Sequence, residues 1–196
     1  MLVCAGDIEQ IKGAIPIGVG LINSAINLTR LCIMNPPEFI LFVGTAGSYG
    51  KYNIFDIVHS KAASNIEHAF FNKSAYTPID NLIVADDISN KNKNDTINKI
   101  SKNVSHETIV NSSNYITTSK DISNLALKIG LSLENMEFYS ILSVAKEFEI
   151  PVGGVFVVTN LCDENAHRDF EINHKKAIKL LEEYIENRVL RWKNIY

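Results

Sequence analysis

Several features that would mark large protein classes are missing from this sequence. No apolar run approaches the roughly 20 residues needed to span a bilayer. The opening Met1-Leu2-Val3-Cys4-Ala5-Gly6 lacks the basic start of a secretory leader. Charge of one sign is also lacking: 19 Lys and Arg against 22 Asp and Glu leave a net charge of −3 over 196 residues, with both signs interspersed. That balance gives no long-range pull toward nucleic acid or anionic lipid. Cysteine is scarce. Cys4, Cys32 and Cys162 are odd in number, far apart and without a C-x-x-C pair, which argues against a disulfide framework or a zinc site. The expectation is a cytoplasmic protein with neither a membrane nor a nucleic-acid partner.

What is present reads as one domain over residues 1–196, since 46% hydrophobic residues suffice for a substantial core. A short strand over Leu2 to Ala5 breaks at Gly6. After the turn Ile15-Pro16-Ile17-Gly18-Val19-Gly20, Leu21, Ile22, Ala25, Ile26, Leu28 and Leu31 recur at helical spacing until Asn35-Pro36-Pro37. Phe39 to Val43 is a strand apolar on both faces, suited to the middle of a covered sheet, and Gly44 to Ser48 is expected to stop it. Further β segments are expected at Ile54 to Ser60, Thr108 to Tyr115 and Val152 to Val158. Helices are expected from Asp121, over Phe138 to Phe148 and from about Asp169 to Trp192, and a solvated helix and loop over Asp86 to Thr108. Strands alternating with helices predict an α/β fold with a central mixed sheet.

Three glycine-bearing turns, Gly6, Gly18-Val19-Gly20 and Gly44-Thr45-Ala46-Gly47, could bring backbone N–H groups close to an anion or a sugar. None is a P-loop, and a simple tight turn is the plainer reading of any one of them. Asp163 follows the apolar strand and the step Thr159-Asn160-Leu161-Cys162, at the carboxyl edge where α/β sheets bind ligands. It reads either as a general acid or as a cap for the last helix. Glu137 opens an apolar helix, where sugar hydroxyls would be good partners; a first-turn glutamate favoured by the helix dipole is the alternative. Tyr115 could stack on a planar base or simply edge the core. His167 and His174 read as solvated helix histidines.

In chain order these pieces resemble the nucleoside phosphorylase and nucleosidase superfamily. The carriers are Gly18-Val19-Gly20, Phe42-Val43-Gly44-Thr45-Ala46-Gly47, Asp56-Ile57-Val58, Ser112 to Ile116, Asn135-Met136-Glu137 and Thr159 to Asp163. The closest likeness is to the branch containing 5'-methylthioadenosine/S-adenosylhomocysteine nucleosidase. The resemblance implies a nucleoside phosphorylase-like domain with a shortened N-terminus and a small-molecule nucleoside substrate. It implies that Asp163 protonates the departing purine at N7, oriented by Cys162 where serine is usual. Met136 and Glu137 would hold the ribose, Gly47 would lie in the glycine element beside it, and Tyr115 with the backbone of Ile116 would meet the base. Glu9, with Asp7 as second choice, would activate water. It also implies a homo-oligomer in which one subunit closes its neighbour's pocket, with His68 and Phe70 as candidates, and no metal or organic cofactor.

The acceptor follows from a further scarcity. The four arginines are Arg30, Arg168, Arg188 and Arg191, and the position before the Gly-x-x-Gly element, where the phosphorylases of the family carry a phosphate-binding arginine, holds Phe42. Phosphate would have to rely on Lys12, backbone amides or a neighbouring subunit. The expectation is therefore hydrolysis of an N-ribosyl bond. The alternatives are a purine nucleoside phosphorylase with phosphate as co-substrate, and a relative that binds nucleosides without cleaving them.

Overall fold

The computed structural model describes residues 1–85 and 108–188. The helix and loop expected before Thr108, and the helix end expected at Trp192, lie outside the described residues.

The sheet is organised around one long strand, β3 (Ile40–Ser48), which follows β1 (Leu2–Cys4), β2 (Ile15–Pro16) and helix α1 (Leu21–Met34). Its first half runs parallel to β1. Its whole length runs parallel to β9 (Val152–Leu161), and its last two residues pair antiparallel with β8 (Leu131–Asn135). The order continues through β7 (Ile109–Ser112) and β5 (Ala62–Ser64) to β6 (Leu82–Val84), while β4 (Ile57–Ser60) pairs with the far side of β9. The result is a mixed sheet of nine strands among the described residues, with helices on both faces, as the alternation of elements predicts.

The apolar core strand explains the layering. Ile40, Phe42 and Ala46 face a cluster that includes Leu28 of α1 and Ile141 and Leu142 of α4 (Phe138–Glu147). Val43, with Val155 and Val157, faces Ala177, Leu181 and Ile185 of α5 (Ala166–Arg188). Alternate side chains of a strand point to opposite faces, so a strand apolar throughout must be covered twice. Two shorter helices, α2 (His68–Phe71) and α3 (Lys120–Lys128), complete the described elements.

Gly44 and Gly47 do not stop β3. The strand runs through both and on to Ser48. A Cβ on Gly47 would stand 2.8 Å from Cys162 Sγ and 3.0 Å from Asn160 Nδ2; one on Gly44 would meet the Phe42 ring at 3.0 Å and Glu9 Oε2 at 3.3 Å. Glycine is needed here for close approach rather than for a turn. The extension carries β3 to the same carboxyl edge reached by β8 and β9.

Candidate active site

At that edge a cavity of about 260 Å³ opens beyond the strand ends. Its floor is Thr45, Ala46 and Gly47 of β3, Glu134 and Asn135 of β8, and Thr159 and Asn160 of β9. The segment after β1 supplies Asp7, Ile8 and Glu9. Met136 and Glu137 come from the step into α4, Tyr115 and Ile116 from the segment after β7, and Phe170 from α5.

Glu137 is 3% exposed and is the residue that precedes the first turn of α4. Its Oε1 accepts the Gly20 N–H at 3.0 Å, and its Oε2 accepts Asn135 Nδ2–H at 2.8 Å. Gly20 holds a left-handed φ of 85°, which lets its N–H turn inward at the start of α1 rather than into solvent. Asn135 Oδ1 accepts both the Glu137 and Phe138 N–H groups, at 2.7 and 2.8 Å, and so caps the helix. Burial, reinforced by the negative charge of Glu9, pushes the Glu137 carboxyl up to about 7 against the pull of its hydrogen bonds.

Glu9 is held by β3. Its Oε2 accepts the Thr45 N–H at 3.2 Å and its Oε1 accepts the Thr45 hydroxyl. Desolvation raises its carboxyl above the usual range, while the two Thr45 bonds and nearby His174 oppose the rise. His174 is not the solvated side chain its helical context suggests, because its Nε2 is buried.

The expected site residues divide between the cavity and its surroundings. Glu9, Gly47, Tyr115, Ile116, Met136 and Glu137 line it together, and so does Asp7. Tyr115 is 69% exposed over its mouth. Asp163 and Cys162 stand just past the end of β9 and are not among its lining residues. Asp163 Oδ1 accepts the Asn165 N–H at 2.9 Å and its carbonyl accepts the Ala166 N–H at 3.0 Å, the bonds of a turn leading into α5. Cys162 is buried behind Gly47, its thiol 4.0 Å from Glu134 Oε1, and burial holds the thiol well above its ordinary value. His68 lies outside the lining too. Its Nε2 is 2.8 Å from Thr117 Oγ1 of its own chain, and its ring centroid is 6.4 Å from that of Tyr115. Phe70 is 46% exposed on α2 and lines a second hollow with Phe71, Tyr76 and Leu125.

Lining residues that the sequence did not single out are Glu134 and Phe170, and His167, expected only as a solvated helix histidine, lines the cavity as well. Glu134 had a signal: in Leu131-Ser132-Leu133-Glu134-Asn135 the leucines alternate with polar residues, the period of a strand. That strand was not anticipated.

Asp7, Glu9, Glu134 and Glu137 are the acidic residues of a largely apolar lining, His167 is its one imidazole, and no lysine or arginine is among the lining residues. Lys12 lies elsewhere: its Nζ is 3.1 Å from Glu186 Oε1 and its backbone N–H donates to Glu182 at 2.9 Å. Among the described residues no group of three or more His, Cys, Asp and Glu is placed to hold a metal. None of the described helices is long and apolar enough to cross a membrane.

The sheet thus opens a crevice beyond the carboxyl ends of its strands, the place where α/β folds bind ligands. The chain belongs to the phosphorylase superfamily, whose sequence profile matches residues 2–187. No curated protein matches it in sequence. Among solved structures it resembles a 5'-methylthioadenosine/S-adenosylhomocysteine nucleosidase of Helicobacter pylori with butyl-thio-DADMe-Immucillin-A (TM-score 0.74, 15% identity, 97% of each chain covered). It also resembles the futalosine hydrolase of Helicobacter pylori (TM-score 0.72, 16% identity, 94% of each chain). A third likeness is the Neisseria meningitidis 5'-methylthioadenosine/S-adenosylhomocysteine nucleosidase with methylthio-immucillin-A (TM-score 0.70, 13% identity, 94% of this chain and 95% of that one).

Proposed function

We propose that the protein is a nucleosidase that hydrolyses the N-ribosyl bond of a purine nucleoside or its 5'-thio derivative. The observation that carries this reading is the sign of the cavity. Besides Glu134, whose carboxyl is bonded within the fold, the acidic side chains lining it are those of Asp7, Glu9 and Glu137; no Lys or Arg joins them, and Lys12 is ion-paired outside it. Such a wall disfavours a phosphate dianion and stabilises the positive charge that develops on the ribosyl group as the base departs. The names of the structural neighbours, which include nucleosidases and a hydrolase, support the same class of reaction.

In this reading Glu137, steadied by Gly20 and Asn135, accepts hydrogen bonds from ribose hydroxyls beside Met136. Tyr115 covers the base and the backbone of Ile116 meets its edge. The water oxygen attacks C1' and gives its proton to Glu9, while the C1'–N9 bonding pair leaves with the purine, which takes a proton at N7 from Asp163. The products are the free base and the free ribose sugar. Asp163 is not among the lining residues, so in this reading a small rearrangement before α5 brings its carboxyl to the base. The bond to Asn165 favours one second reading, a protein that binds nucleosides without cleaving them.

Base release from adenosine, inosine and 5'-methylthioadenosine, each with and without phosphate, separates these. Release in the absence of phosphate is the expected result. Strict dependence on phosphate, with ribose 1-phosphate as product, would overturn the hydrolytic reading. Binding without release from any of the three would favour the second.

A further inference from the structure

Glu134 is a buried carboxylate that the proposed chemistry does not use, and its bonds converge on one segment. Its Oε1 accepts the Thr117 N–H at 2.8 Å, and its Oε2 accepts the Thr117 hydroxyl at 2.5 Å and the Tyr49 hydroxyl at 2.8 Å. Tyr49 is fixed in turn, since its oxygen accepts Asn111 Nδ2–H at 3.3 Å, and Asn111 also bonds Ser64 and Ile66. His68 Nε2 stands 2.8 Å from the same Thr117 hydroxyl. Residue 117 is thus anchored directly from β8 and α2.

The other end of the segment is anchored as well. Ser113 N–H donates to the Asn135 carbonyl at 3.2 Å, and Asn114 Oδ1 accepts the Leu21 N–H at 3.0 Å. Between the anchors Asn114 and Thr117 lie only Tyr115 and Ile116, both exposed and both lining the cavity. A buried carboxylate with four donors on it, the Cys162 thiol included, in a part of the sheet already packed, is costly to keep unless its bonds serve a geometry.

We propose that Glu134 is a positioning residue for base recognition: by clamping both polar groups of Thr117 it holds Tyr115 and Ile116 over the cavity in the arrangement that meets the purine. The inference rests on the nucleoside reading above. It makes base affinity, rather than bond cleavage, the quantity that Glu134 controls.

The test is adenine binding by isothermal titration to the full chain, together with KM and kcat for 5'-methylthioadenosine, in Glu134→Leu, Glu134→Gln, Thr117→Val and the Glu134→Leu/Thr117→Val pair. For Glu134→Leu, adenine Kd and KM should rise together by about tenfold or more, the loss of charge-assisted bonds, with kcat nearly unchanged. Glu134→Gln keeps the size and one good acceptor, so it should fold and fall between wild type and Glu134→Leu. The pair should be no worse than Glu134→Leu alone, because both changes break one linkage. Three results would overturn the inference: wild-type adenine affinity in Glu134→Leu and Glu134→Gln, a fall in kcat with affinity preserved, or additive effects in the pair. If wild-type protein neither binds adenine nor releases it, the nucleoside reading itself falls and takes this inference with it.

Discussion

Glu134 and Glu137 are three residues apart, both buried and both lining the same cavity, yet their surroundings differ. Glu134 lies in β8 and is engaged by Thr117 and Tyr49, all within the chain. Glu137 lies at the step into α4, accepts one bond on each oxygen and feels the charge of Glu9, which helps lift it to about 7. A carboxylate whose acceptor sites are filled by its own fold can only hold structure. One with lone pairs to spare and a pKa near neutrality is available to a ligand. The cavity therefore has a fixed end and a responsive end, and the predictions test that division.

The largest effect is expected at the reacting groups. Glu9→Gln and Asp163→Asn should each lower kcat by roughly 10²- to 10⁴-fold, the usual size of a general acid or base contribution. Steady-state base release measures it, and near-normal turnover in either variant would remove that residue from the mechanism. Next is the pH dependence of stability at Glu137. Its carboxyl is raised from 4.5 to about 7 in the fold, so its stabilising contribution is complete below 4.5 and is lost as pH climbs through 7. Urea unfolding at pH 5 and pH 8 should show wild type losing up to a few kcal/mol more than Glu137→Gln over that interval. Parallel curves for the two proteins would contradict the assignment.

A smaller effect is expected at the junction of the two ends. Gly47→Ala forces a methyl against Cys162 and Asn160 and should cost about 1–3 kcal/mol by thermal or urea unfolding. Adding Cys162→Ala should recover part of that loss. The smallest is Lys12→Ala. Its ion pair with Glu186 is exposed on both sides, so stability should change by no more than about 0.5 kcal/mol. Base release should keep the same response to phosphate, whereas a variant that altered that response would bring Lys12 back to the site.

The sequence made the core strand, the two-sided cover and the Glu137 carboxyl at the head of a helix legible because each leaves a local signature. Phe39 to Val43 is apolar without interruption, and Met136-Glu137 precedes an obvious helical period. What stayed hidden depended on contacts across the chain. Gly44 and Gly47 look like a turn until Phe42, Cys162 and Asn160 are seen crowding them. β8 is short and half polar, and its Ser132 and Glu134 are buried only because neighbouring segments supply partners. Asp163 was readable as acid or cap from position alone. Its bond to Asn165 shows the cap-like arrangement, and the acid role remains the proposal tested above.

The bond from Gly20 N–H to Glu137 spans 117 positions of sequence. During synthesis the start of α1 therefore emerges from the ribosome well before its partner. At ordinary elongation rates of about 5–20 residues per second the interval is on the order of ten seconds. For that time the glycine turn has no carboxylate to receive its N–H, and β3, once made, has neither β8 nor β9 to pair with. Contacts of such long range also slow folding in general. The nascent N-terminal third thus carries unpaired strand edges and an unfilled helix start. Unpaired strand edges of this kind are what make a nascent chain prone to aggregation.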